Sequence, residues 1–91
     1  MEVIGIIKLV GDVQSVGSNS FRKRELVVTT AEDYPQMLML EFTQDKVDLL
    51  NSVAVGDSVK VGINLRGREW INKEGEAKYF NSLQGWKIDK V

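Results

Sequence analysis

The chain is expected to be an all-β barrel of five strands with one short helix between the third and fourth strands. Three observations predict it. Apolar residues alternate with polar ones over most of its 91 residues, which is the period of a strand half-buried against a core. Glycine and turn-forming residues separate these runs at short intervals. The alternation breaks only once in the middle of the chain, at residues 44–53.

The first segment holds Val3, Ile4, Ile6, Ile7, Leu9, Val10 and Val13, with Gly5 and Gly11 as expected sites of a bend or bulge. Residues 14–20, Gln-Ser-Val-Gly-Ser-Asn-Ser, read as a polar loop. The second strand spans about Phe21 to Thr30, with Leu26 and Val28 on one face and Lys23, Glu25 and Val27 on the other. Glu32-Asp33-Tyr34-Pro35 is turn material. In the third strand, Met37 to Thr43, the core face is Leu38, Leu40 and Phe42, because the alternate set carries Glu41.

Residues 44–53 read as a short helix, with Thr43 as its cap and Asp45 in a first turn where the positive dipole end favours acids. Val47 and Leu50 share one face of it. Val55-Gly56-Asp57 is a turn. The fourth strand points Val59, Val61, Ile63 and Leu65 inward and Lys60, Gly62, Asn64 and Arg66 outward. Residues 72–76 form a hairpin loop with Gly75 at the position that needs positive φ. The fifth strand runs from Lys78 to about Ile88. The order β-β-β-α-β-β is that of an OB-fold, whose second and third strands and flanking loops bind oligonucleotides or oligosaccharides. One domain over residues 1–91 is expected, and with so small a core self-association is an expected supplement to stability.

Composition narrows the chemistry. The chain contains neither cysteine nor histidine. Disulfides, the usual zinc ligand sets and Ser-His-Asp or Cys-His arrangements therefore cannot be built. No enzymatic activity, metal or cofactor is expected. Asp45 and Asp48 share a helix face and read as solvated. The N-terminus lacks the positive leader and long apolar run of a signal peptide, so a soluble, cytoplasmic protein is expected. Net charge is −1, but residues 31–57 hold Glu32, Asp33, Glu41, Asp45, Asp48 and Asp57 against Lys46 alone. The remainder is correspondingly basic, which suggests one acidic and one basic face.

The segment Val55-Gly56-Asp57 through Arg66-Gly67-Arg68-Glu69-Trp70, followed by Gly75 and by Lys78-Tyr79-Phe80, resembles bacterial single-stranded-DNA-binding proteins. There a turn glycine precedes a β-run, an Arg-x-Arg-x-Trp motif and a glycine-containing hairpin. The whole chain also resembles a family of short OB-fold proteins of Bacteroidetes. The shared features are its Met-Glu-Val start, the basic residues before an apolar strand, Tyr34-Pro35, residues 45–51 and Trp86-Lys87. The resemblance implies binding of single-stranded DNA, or RNA, without strong sequence preference, by a homo-oligomer (dimer or tetramer). Two departures stand out: Thr43 occupies a position that is often aromatic, and the acidic tail that recruits partners in the bacterial proteins is expected to be lacking.

Single-strand binding needs cations along the phosphates and flat side chains under the bases. Phe21, Arg22, Lys23 and Arg24 supply both at the start of the second strand, unless they form only a solvated strand end. Arg66, Arg68 and Trp70 share strand parity, with Lys73 in the following hairpin; the alternative is a Trp70 packed under that hairpin, with the arginines paired to Glu69, Glu74 or Glu76. Arginine can itself stack on bases. Tyr79 and Phe80 have opposite parity, and Tyr79 is the one expected at the ligand. Trp86 is expected in the core or an interface, while Met37 and Met39 lie on an adaptable outer face. The competing function is a protein-interaction or structural module with no nucleic-acid role.

Overall fold

A computed structural model describes residues 1–17 and 21–91. Its elements are β1 (Glu2–Val10), β2 (Gln14–Val16), β3 (Phe21–Thr30), β4 (Met37–Thr43), a 3₁₀ helix (Gln44–Ser52), β5 (Ser58–Ile71) and β6 (Ala77–Lys90). Strands β1, β5, β6, β4 and β3 pair in that order, and β3 pairs back onto β1, which closes a five-stranded barrel. All pairings are antiparallel except β4 with β6, which meet at Leu40–Leu83 and Glu41–Gln84. The expected OB-fold order is present.

One element departs from the expected loop at 14–20. Gln14–Val16 pair with Phe21–Lys23 as a small sixth strand, and Gly17 turns with φ 75°. Polar residues suffice there because the pairing rests on backbone hydrogen bonds beyond the end of the core. The 18–20 part of that segment lies outside the described residues.

Alternation places the core as the pattern predicts. Leu26 and Val28 of β3, Leu40 and Phe42 of β4, and Val59, Val61 and Ile63 of β5 are all buried, with Val3 and Ile7 of β1 completing the ring. Burying one such side chain contributes roughly 1.5–3 kcal/mol. Gly5 lies where β1 passes close to β3: a Cβ there would meet the Thr29 carbonyl oxygen at 2.2 Å. The bulge in β1 falls at Lys8 rather than at a glycine, between the pairs Ile7–Val28 and Leu9–Val27. It turns Leu9 outward and Val10 inward, so the second half of the strand stays in register with β3.

The helix closes one end of the barrel with Val47 and Leu50, both buried. Thr43 precedes it in extended conformation but makes no capping hydrogen bond. Its Oγ1 instead accepts from Gln84 Nε2 at 3.2 Å. The chain reverses into the helix through Gln44, which has φ 54°.

The largest departure concerns β5 and β6. Each runs for 14 residues, well past the barrel, as a two-stranded arm that lengthens the molecule to 46 Å along its main axis. Leu65, expected in the core, keeps the inward parity but is 61% exposed, because the strand has left the barrel by that point. At the tip, Asn72 Oδ1 accepts from the backbone N–H groups of Glu74 (3.0 Å) and Glu76 (2.9 Å), and Gly75 has φ 81°. No helix is long and apolar enough to cross a membrane among the described residues.

Candidate nucleic-acid interface

Barrel closure sets which side chains share a surface. On β3 the buried residues are Leu26, Val28 and Thr30, so Phe21, Lys23 and Glu25 face outward. On β4 the outward set is Met37, Met39, Glu41 and Thr43, on β5 it includes Arg66, Arg68 and Trp70. The β5–β6 register places Ser82 opposite Arg66, Phe80 opposite Arg68 and Lys78 opposite Trp70. Directly opposed residues lie on the same face, so the arm carries two faces of different chemistry. One presents Arg66, Arg68, Trp70, Lys78 and Phe80. The other presents Leu65, Glu69, Ile71, Ala77 and Tyr79.

The cationic face of the arm meets β3 across a groove of about 560 Å³ lined by Phe21, Lys23, Glu41, Arg66, Gly67, Arg68, Phe80, Asn81 and Ser82. Four of the expected residues, Phe21, Lys23, Arg66 and Arg68, are brought together there from strands far apart in sequence. Arg66 is held by a relay: its Nε donates to Gln84 Oε1 at 3.0 Å, and Gln84 donates to Thr43 Oγ1. The guanidinium of Arg68 lies over the Phe80 ring, 5.5 Å from its centroid. The ion pairs among the described residues are Lys60–Glu2, Lys87–Asp89 and Lys90–Asp57. Among them the groove cations have no carboxylate partner, and the expected alternative pairing with Glu69, Glu74 or Glu76 does not form.

The other expected residues stand elsewhere. Arg24 shares parity with Leu26 and points to the helix end of the barrel. Its Nε donates to the Gly11 carbonyl at 2.8 Å, and its Nη1 donates to Asn51 Oδ1 at 2.8 Å and to the Val47 carbonyl at 3.3 Å. It staples the helix to the barrel. Arg22 has the same parity, and its Nη2 donates to the Gln44 carbonyl at 3.3 Å, where the chain reverses. Trp70 shares the cationic face but lies beyond the groove, 49% exposed, and Lys73 sits in the turn at the tip. Tyr79 pairs with Glu69 on the opposite face of the arm and is 70% exposed. Phe80 is therefore the residue of that pair that lines the groove. Counting back from the 72–76 turn was the signal that pairs Phe80 with Arg68.

Trp86 is not in the core. It is the extra residue of a bulge between the pairs Gly62–Lys87 and Ile63–Gly85, and it is 47% exposed. Its indole lies on Gly62, where a Cβ would come within 2.9 Å of the ring. The expected separation of charge is partial. Asp45 and Asp48 are exposed on the helix, but Glu41 lines the groove, and Glu25 is its direct partner on β3.

Residues 2–89 match the family described as "Domain of unknown function (DUF3127)". The chain belongs to this family. No curated protein matches it. Among solved structures, the DUF3127 chain is similar to the mitochondrial single-stranded DNA binding protein Rim1 of S. cerevisiae. One crystal form aligns with a TM-score of 0.75 at 14% identity, covering 100% of this chain and 92% of that chain. A second form aligns with a TM-score of 0.69 at 15% identity over the same shares. At that identity the likeness is one of fold, and this DUF3127 member is an OB-fold.

Proposed function

We propose that this protein binds single-stranded nucleic acid, DNA in the first instance, along the groove between β3 and the β5–β6 arm. The observation that carries this reading is the convergence of Lys23, Arg66 and Arg68 with the rings of Phe21 and Phe80 in one groove. Cations neutralise phosphates and release their counterions. Rings stack on bases whatever their sequence, at about 1–3 kcal/mol per base. Trp70 continues the face outward: it is diagonal to Phe80 across the arm, where side chains stand roughly 7–8 Å apart, close enough to take a neighbouring base. The fold likeness to a single-stranded DNA binding protein supports the same reading.

The test is a titration of tryptophan fluorescence with single-stranded and duplex oligonucleotides at two salt concentrations. Quenching by the single strand that weakens steeply with salt is expected, and Arg66→Glu combined with Arg68→Glu should abolish it. Unchanged affinity in that double variant removes the groove from the reading.

A second observation favours pairing between copies. The outward residues Ile4, Ile6 and Leu9 of β1 continue across β3 into Met37 and Met39 of β4, and all five are at least half exposed. Contiguous apolar surface of this kind marks interaction sites. Light scattering on the purified chain measures the assembly.

A further inference from the structure

A groove that only tracked phosphates would gain nothing from a carboxylate, yet Glu41 is in its lining. Glu41 also lines a smaller adjoining pocket of about 190 Å³, together with Met39, Asn81, Ser82 and Leu83. This pocket opens where β6 leaves β4 to enter the arm. Glu41, Asn81 and Ser82 line both cavities, so the two adjoin. Among the described residues no cation comes within ion-pair distance of the Glu41 carboxylate, and no hydrogen bond to it forms. It is an acceptor that lines both cavities with no protein donor among the described residues.

Resting on the reading above, we propose that this pocket takes one base out of the stacked strand and reads its amino edge, selecting cytosine over thymine. A void of about 150 Å³ holds a benzene ring, so the pocket accommodates one pyrimidine. Met39, on the outward face of β4, offers apolar contact to it. Cytosine presents an N4 amino donor, which a carboxylate accepts, next to N3 and O2 acceptors, for which the Ser82 hydroxyl, on the same face of β6 as its partner Arg66, is a donor. Thymine carries a carbonyl oxygen where cytosine carries the amino group, and that oxygen would face the Glu41 carboxylate. The stacking and phosphate contacts of the main groove stay sequence-tolerant; the preference comes from this one position.

The experiment compares oligo-dC and oligo-dT of equal length by fluorescence titration at neutral to mildly alkaline pH, for the wild-type chain, Glu41→Gln and Glu25→Gln. Glu25 faces the same side but lines neither cavity. The wild type should bind oligo-dC at least about tenfold more tightly than oligo-dT. Glu41→Gln should collapse that ratio, mainly by strengthening oligo-dT, because an amide can donate to the thymine carbonyl. Glu25→Gln should strengthen both oligonucleotides alike and keep the ratio. Equal binding of the two by the wild type, or a Glu41→Gln variant that strengthens both by the same factor, overturns the proposal and leaves single-strand binding standing. Failure to bind either oligonucleotide overturns both readings.

Discussion

The ring of Phe42 occupies the space that a side chain at residue 85 would need: a Cβ on Gly85 would lie 2.3 Å from the ring's Cζ. Phe42 is fully buried, and Gly85 sits on β6 just past Leu83 and Gln84, which pair with Leu40 and Glu41 of β4. The parallel junction between β4 and β6 thus depends on a missing side chain.

Gly85→Ala should therefore destabilise the fold. Overpacking a tight core costs about 1–3 kcal/mol, which in a domain of this size lowers the melting midpoint by roughly 4–8 °C per kcal/mol. Gly62→Ala is the comparison. Its obstacle is the half-exposed Trp86 indole, which can swing into solvent, so its loss should stay below about 1 kcal/mol. Thermal melts of the two variants measure this, and equal losses would show that Phe42 has room to move.

Phe80→Ala should weaken oligonucleotide binding by about 1–3 kcal/mol, the value of one stacked base. Tyr79→Ala should leave affinity unchanged, since Tyr79 faces away from the groove on the arm's other side. The pair tests the register of the arm directly. A larger effect from Tyr79 would place the strand on the wrong face.

Arg24 and Arg68 should separate stability from binding. Arg24→Ala breaks hydrogen bonds to Gly11, Val47 and Asn51 and should cost about 1–3 kcal/mol of folding stability, with no change in the salt dependence of binding. Arg68→Ala should leave the melting midpoint in place and flatten the slope of log K against log salt by about 0.7, the value of one phosphate contact on a single strand. Chemical denaturation and salt titrations of both variants read the two effects independently.

Thr43→Val removes the hydroxyl that accepts from Gln84 and thereby frees the side chain that positions Arg66. Valine suits a strand as well as threonine, so stability should hold while affinity falls by up to about 1 kcal/mol. Titration alongside a thermal melt checks both halves of this expectation.

The five barrel strands, their inner faces and the helix were legible because each rests on a local pattern. Val59, Val61 and Ile63 bury as their period requires, and Val47 and Leu50 plug the barrel as their spacing requires. Leu65 has the same period and does not bury, because alternation records which side a residue faces and not whether anything lies on that side. The contacts of Arg24 were hidden for a related reason. Its two neighbours in the basic run gave no sign that the Gly11 carbonyl and the end of the helix would stand within its reach.

Residue order and polarity were enough for a five-stranded closed barrel with a helical plug, since a two-residue repeat dictates one buried face per strand. Assembly of a groove was not within their scope. Phe21 and Lys23 meet Arg66, Arg68 and Phe80 only because β6 pairs β4 for two residues and then departs with β5 as an arm. That geometry, together with the placement of Glu41 beside Asn81 and Ser82, follows from long-range strand pairing, in which contacts between distant segments set positions that neither segment encodes alone.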